Sequence, residues 1–342
     1  MTESHTPMEV VSSLSDAQWR QFLAASPDSN IFHTPEMFQV FDATDLHEPE
    51  LWAVLDADGD VAALFTPVQV SVFGGPSAYL TTRSVAYGGL ASIGGTRGER
   101  AVEVLLETYR RKVGRRPVFT ESRNLTDAAS LQPTLARHRW VYEDHLNILI
   151  DLTQSADDLW RGIKSNARRN IRNATKSGVT VDAVQSPDDI PAVYEIIRTV
   201  YQRLRVPLPP LQLFTAAFEV LSGADMLDVV RARLDDGTVI GALCLLAHDG
   251  VVTYWYTGAL REYSKLRASD LMVWRALEIA AARGSHTFDF GGAGKPDEEY
   301  GVRDFKVKFG GELVNFGRNV SVHSANRKRI SERGYELVRR FA

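Results

Sequence analysis

"HTFDFGGAGKPDEEYGVRDFKVKFGGELVNFG", from His286 to Gly317, is the stretch on which the reading of this chain turns. It holds two glycine pairs, Gly291-Gly292 and Gly310-Gly311, each following an apolar-aromatic run. Between them, a polar loop with Lys295-Pro296 leads into a short segment carrying Arg303, Lys306 and Lys308. Glycine lets backbone turn through left-handed conformations and pass close to a neighbour. The pattern therefore predicts a strand, a sharp turn, one short helix from about Val302 to Phe309, a second turn and a strand over "ELVNFGRNVSV". Phe305 and Phe309 lie four apart and are read as the anchors of that helix in the core. A kinase-type Asp-Phe-Gly is excluded, because the glycine-rich loop, strand lysine and His-Arg-Asp loop it requires are missing upstream. A Walker-type phosphate loop, an HExxH zinc motif and a GxSxG elbow are also absent.

Outward from this stretch, 342 residues suit about two domains. A composition 44% hydrophobic and 24% charged is that of a folded globular protein. The net charge of −4 gives no global attraction to nucleic acid, so any polyanion site must be a local patch. "MTESHTPMEVVSS" lacks the basic and apolar regions of a signal peptide. The longest clean apolar run, Val239–Ala247, is far too short to span a bilayer. A cytoplasmic protein is expected. Cys244 is the one cysteine, which rules out a disulfide within the chain and a cysteine zinc cluster. It lies inside that apolar run and reads as a buried, inert thiol. The eight histidines show no paired ligand spacing, so no metal site is expected.

The order of elements occurs twice. Helices, a meander of strands, a helix and a last strand run from "LSDAQWRQFLAAS" to "VYEDHLNILIDL", and again from Asp157 to "HTFDFGG". Apolar alternation marks the strands and spacings of three and four mark the helices. "VAALFTPVQVSVFG" and "VYEDHLNILIDL" each read as one strand, and residues from about Asp157 to Ser177 as one helix. A first domain is assigned to residues 1–152 and a second to 153–319. The tail "SANRKRISERGYELVRRF" reads as a basic helix.

"SADDLWRGIKSNARRNIRNATKSGV" carries a charge pattern of its own. Lys164, Arg168, Arg172 and Lys176 recur at spacings of four, flanked by Arg161 and Arg169, with no acid between Asp158 and Asp182. Like charges four apart repel by about 0.2–0.5 kcal/mol per pair. Either a bound anion relieves the stripe, or acids elsewhere in the fold do.

A coenzyme A acyltransferase would need a glycine-rich loop at a helix N-terminus, with backbone N–H groups on the pyrophosphate. In "LREYSKLRASDLMVWRAL" the strand-loop-helix frame is present, but Lys265-Leu266-Arg267-Ala268 stands where the glycines would be. "KSNARRNIRNATKSGVTV", followed by "FDFGGAG" and by "YGVRDFKVKFGGELVNFG", resembles the FemAB-like (FemX-type) aminoacyl transferases. The match at Asp289–Gly292 and at Phe305–Glu312 is specific, and the element order extends it weakly over the first half. The resemblance implies an α/β (α+β) fold of two tandem GNAT-like acyltransferase domains. Each is a mixed, largely antiparallel sheet flanked by helices, here with no coiled-coil insertion. It also implies that the C-terminal segment, residues 320–342, returns to the first domain.

What the resemblance implies in function is amide bond formation. An amine on a cell-wall peptide (peptidoglycan) precursor, or on another small acceptor, attacks the ester of an aminoacyl-tRNA. The ester is already activated, so no cofactor, metal or ATP is called for, and a monomer is expected. On this reading Lys306, Asp289 and Tyr256 are the catalytic candidates. Lys306 would make an electrostatic contact in the transfer cleft, while Lys308 reads as solvated. Asp289 would accept a proton or hydrogen-bond the loop after it. Candidate substrate contacts are Lys164, Arg168, Arg169, Arg172, Tyr254, Gly291, Gly292, Arg303, Phe305 and Gly310. Tyr254 and Tyr256, two apart, read as same-side neighbours on a strand, lining the cleft or packing in the core. An acyl-CoA N-acyltransferase and a non-catalytic RNA- or polyanion-binding module remain alternatives.

Overall fold

Residues 8–71, 78–114 and 116–330 are described by this computed structural model. The chain divides into two units, Met1–Asp144 with Phe316–Ala342, and His145–Asn315.

In the first unit Pro67 interrupts "VAALFTPVQVSVFG". Proline has no N–H for a strand ladder, and the stretch becomes Val61–Phe65 and Val68–Val70 in different sheets. One sheet runs Glu9–Val11, Trp52–Leu55, Val61–Phe65, Ala91–Ser92. The other runs His47–Pro49, Val68–Val70, Arg83–Ala86, Phe119–Arg123, Arg318–Val322, Val141–Glu143. Arg83–Ala86 and Phe119–Arg123 are parallel. Helix Gly95–Lys112 buries Ala101, Val102, Leu105, Leu106 and Tyr109 in this unit's core. The Tyr109 hydroxyl stays satisfied there, bonded to Ser84 (3.2 Å) and Thr120 (2.8 Å).

In the second unit one seven-stranded sheet runs Thr180–Ala183, Leu227–Arg233, Val239–His248, Val251–Ala259, Thr287–Asp289, Leu146–Asp151, Glu312–Asn315. Its parallel pair is Val251–Ala259 with Thr287–Asp289, and the other pairs are antiparallel. Helices Ser165–Lys176 and Ala268–Ala282 supply Ile171, Ala174, Met272, Ala276 and Leu277 to a core shared with Leu243, Leu245, Phe288 and Phe290.

Three further stretches that read as single elements are also broken. Residues 157–177 form two helices, Ala156–Gly162 and Ser165–Lys176. Ile163 goes extended and drops into the core, and the Lys164 N–H is taken by the Lys308 carbonyl at 2.8 Å. "VYEDHLNILIDL" gives Val141–Glu143 to the first unit's sheet and Leu146–Asp151 to the second's. "ELVNFGRNVSV" likewise gives Glu312–Asn315 to the second and Arg318–Val322 to the first. The second unit therefore begins at His145, ahead of the boundary expected after residue 152, and the chain re-enters the first unit at Phe316. Residues 325–330 are helical, and the rest of the expected tail helix lies outside the described residues. Among the described residues no helix is long and apolar enough to cross a membrane.

Candidate active site

Where strand Thr287–Asp289 ends, the chain turns on Gly291-Gly292. Asp289 is buried and its Oδ1 accepts from the Gly291 N–H (2.6 Å) and the Asn147 side-chain amide (2.7 Å). The Asn147 Oδ1 in turn accepts from the Gly292 and Ile148 N–H groups (2.9 and 2.8 Å). An Asp-Asn pair from neighbouring strands thus satisfies the donors of the turn. Gly291 has φ +69°, and a Cβ there would stand 2.8 Å from the Tyr254 carbonyl oxygen. Only glycine fits both the dihedral and the space. Asn147 was missed by the sequence reading. Its signal was a lone amide among the apolar residues of "HLNILIDL".

Helix Gly301–Lys306 brings Lys306 back across this turn. Its Nζ donates to the carbonyls of Phe290 and Gly292, each at 2.6 Å, and lies 5.5 Å from the Tyr254 ring centroid. Lys306 is 7% exposed. Burial lowers its pKa to about 8, against the opposing pull of Asp289. Burial raises the Asp289 carboxyl, against the Gly291 and Asn147 hydrogen bonds and the Lys306 charge. Arg303 does not stand open. Its guanidinium donates to the carbonyls of Ala293 (3.3 Å), Lys295 (2.6 Å) and Glu298, tying the loop together. Phe305 is half-buried with its ring 5.3 Å from that of the buried Phe309. Gly310, at φ +88°, ends the segment.

Tyr254 and Tyr256 are not same-side neighbours. Cys244 pairs with Tyr256 and Leu245 with Tyr254, so Trp255 is the extra residue of a β-bulge. The bulge resets the period-two alternation. Tyr254 joins Phe290 (5.5 Å) and Lys306, while Tyr256 meets Phe214 (5.0 Å) and Tyr201 (6.0 Å). Of the three catalytic candidates, Lys306 and Asp289 meet at the glycine turn, and Tyr256 lies in a different cluster.

The basic stripe is only partly open. Lys164 is the N-cap of helix Ser165–Lys176, outside its helical face. Arg168 donates to the carbonyls of Trp160 (3.3 Å) and Arg161 (3.0 Å), capping the preceding helix. Arg172 lies over the Trp160 ring at 5.3 Å, with the rest of its side chain exposed. Arg169 is exposed.

Beside this helix, at the start of Ala268–Ala282, lies a cavity of about 550 Å³. Arg203, Arg261, Arg267 and Lys308 line it, together with Phe305 and the carboxylate of Asp270. The loop "REYSKL" winds into a 3-10 turn over Arg261–Leu266. Arg267 then caps the helix at φ +59°, the conformation a glycine would hold without strain. Asp270 is buried, accepts from Asn170 (3.2 Å), and has its carboxyl pKa raised by burial against Asn170, Lys308 and Arg267. Lys308, which reads as solvated from the sequence, is part of this wall. In the sequence the signal for this wall is the run of cations in "LREYSKLRAS".

Residues 161–306 match the family model of the GNAT acetyltransferase domain. The fold is similar to that of FemX, with a TM-score of 0.70 at 13% identity, covering 96% of this chain and 99% of that one. It is also similar to L-PGS from Bacillus licheniformis, with a TM-score of 0.61 at 10% identity over 95% of this chain and 98% of that one. A tandem GNAT protein from the clavulanic acid biosynthesis pathway aligns with a TM-score of 0.58 at 11% identity, over 92% and 98%. No curated protein matches by sequence. The split strand pairs, the single parallel pair in the Asp289 sheet and these likenesses agree, and the chain has the tandem GNAT fold of FemX-like proteins.

Proposed function

We propose that this protein forms amide bonds, moving an aminoacyl group from aminoacyl-tRNA to the amine of a small acceptor such as a peptidoglycan precursor. The observation that carries this reading is the cation-lined cavity at the start of Ala268–Ala282, in the unit that also holds the Asp289–Gly292 turn. Four cations there suit a phosphate-bearing donor.

In the reaction the amine nitrogen attacks the ester carbonyl carbon and an oxyanion forms. The C–O bond to the ribose then breaks, and the proton lost by the amine ends on the released ribose oxygen. The ester carries its own driving force, so the protein's work is to place the two substrates and stabilise the oxyanion. Lys306, buried at the glycine turn and not part of that cavity's lining, is our candidate to stabilise the oxyanion through its charge. Asp289 and Asn147 keep the turn in the shape on which Lys306 rests. Tyr256, packed against Phe214 and Tyr201 in a different cluster, is given no part in this step.

The match of residues 161–306 to an acetyltransferase domain favours a second reading, N-acylation from acyl-CoA on the same fold. One assay separates the two. The protein is incubated with tRNA charged from a labelled amino-acid mixture plus candidate amines, and in parallel with labelled acyl-CoA. Label moving from tRNA into an amide is the expected result. Transfer from acyl-CoA alone would replace the first reading with the second. Polyanion binding with no transfer from either donor would leave a non-catalytic binding module.

A further inference from the structure

Four cations explain why the cavity beside Ala268–Ala282 would hold phosphate, but they leave its one acid unexplained. Asp270 is 6% exposed and lines the cavity with Arg261, Arg267 and Lys308, and its Oδ1 accepts from the Asn170 amide at 3.2 Å. No ion pair of Asp270 with those cations forms among the described residues. A carboxylate set among the cations of a ligand cavity is placed to accept a hydrogen bond from a donor on the ligand. In a site that otherwise attracts negative charge, it also repels any phosphate placed next to it.

We infer that Asp270 selects the donor by accepting a hydrogen bond from a free ribose hydroxyl, and so favours an unphosphorylated RNA 3′ end over coenzyme A. This rests on the donor reading given above and sharpens it. The two donors differ at this point. Coenzyme A carries a phosphate on its adenosine ribose. The terminal adenosine of an RNA carries hydroxyls there, one of which stays free when the other is esterified. A carboxylate at hydrogen-bond distance accepts from a hydroxyl and rejects a phosphate, as acidic residues do when they read ribose in dinucleotide sites. Phe305 and Tyr263, on the same walls, offer apolar rings to the base, and the arginines face the preceding phosphates.

The test uses a hairpin RNA with a single-stranded CCA end, made with a normal 3′ end, a 2′,3′-dideoxy end and a 3′-phosphorylated end, with coenzyme A as a fourth probe. Binding to the full-length chain is measured at one salt concentration. The wild-type protein is expected to lose about tenfold in affinity for the dideoxy end, and as much or more for the phosphorylated end, which is the size of one hydrogen bond to a charged group. Asp270→Ala is expected to bind normal and dideoxy ends alike. Asp270→Asn keeps the shape and removes the charge, so it is expected to regain the phosphorylated end and serves as the test if the alanine variant fails to fold. Arg261→Ala should weaken all three RNA ends by the same factor. A wild-type protein that binds the dideoxy or phosphorylated end as tightly as the normal end overturns the inference. If such a protein still transfers amino acids from tRNA, only the role of Asp270 is lost. If no RNA end binds while coenzyme A does, the donor reading is lost with it.

Discussion

Lys306 and Asp289 share one buried turn without forming an ion pair. The Lys306 Nζ is engaged by the carbonyls of Phe290 and Gly292, and the Asp289 Oδ1 by the Gly291 N–H and the Asn147 amide. They are coupled only through charge: burial brings Lys306 down to about 8, and Asp289 opposes that fall. If the charged form of Lys306 stabilises the oxyanion, kcat/KM falls as pH rises through about 8. Asp289→Asn removes the opposing charge while keeping an acceptor for the turn. Its descending limb is expected at lower pH than in the wild type. A pH profile of transfer for both proteins checks this, and an unmoved limb in Asp289→Asn would show that the limb belongs to another group.

The same group sets a stability profile. In the unfolded chain Lys306 titrates near its ordinary 10.5, and in the folded protein near 8. Between these values the unfolded state holds the proton more often than the folded state, so stability rises with pH across that window. Below about 8 both states are protonated and the charge is carried at its full burial cost. Lys306→Met is expected to flatten the rise between pH 8 and 10.5 in urea midpoints. A rise of equal size in the variant would assign it to other residues.

Tyr254 and Tyr256 show what limited the sequence reading. Period-two alternation put them on one side, and one bulged residue, Trp255, put them on two. A bulge depends on the partner strand, so a single strand's sequence does not announce it. Lys164 is a similar case. Its spacing of four fitted the stripe, but a long-range bond from its N–H to the Lys308 carbonyl broke the helix there. The short-range chemistry read well. Glycines at positive φ, the short helix after them and the anchoring Phe309 all follow from local dihedral and periodicity rules. The cavity wall did not, because Arg203, Arg267 and Lys308 come from segments far apart in the chain.

Two glycines separate strain from crowding. Gly291 and Gly237 have φ +69° and +87°, but only Gly291 has a backbone oxygen within reach of a new Cβ, at 2.8 Å. Gly237→Ala is expected to cost about 1 kcal/mol for the left-handed backbone alone. Gly291→Ala must also push strand Val251–Ala259 away from the turn and is expected to cost about 3 kcal/mol or more. Chemical denaturation of both variants measures the difference. Equal losses would mean that the close approach at Tyr254 relaxes freely.

Arg169 and Arg172 sit three apart on one helix, but only Arg172 has a second use. Its guanidinium lies 5.3 Å over the Trp160 ring, which itself packs 4.8 Å from the Trp274 ring. Arg172→Gln is therefore expected to cost about 0.5–1 kcal/mol of stability at this exposed cation–π contact, and Arg169→Gln about nothing. For RNA binding the two should behave alike. Each exposed arginine that faces a phosphate contributes about one to the slope of log affinity against log salt. Each variant should therefore lower the slope by about one, and the double variant by about two. Titrations of a hairpin RNA at several salt concentrations, run beside thermal melts, test both halves. An unchanged slope in the double variant would remove this helix from the donor surface and leave the cavity cations to carry the phosphate contacts alone.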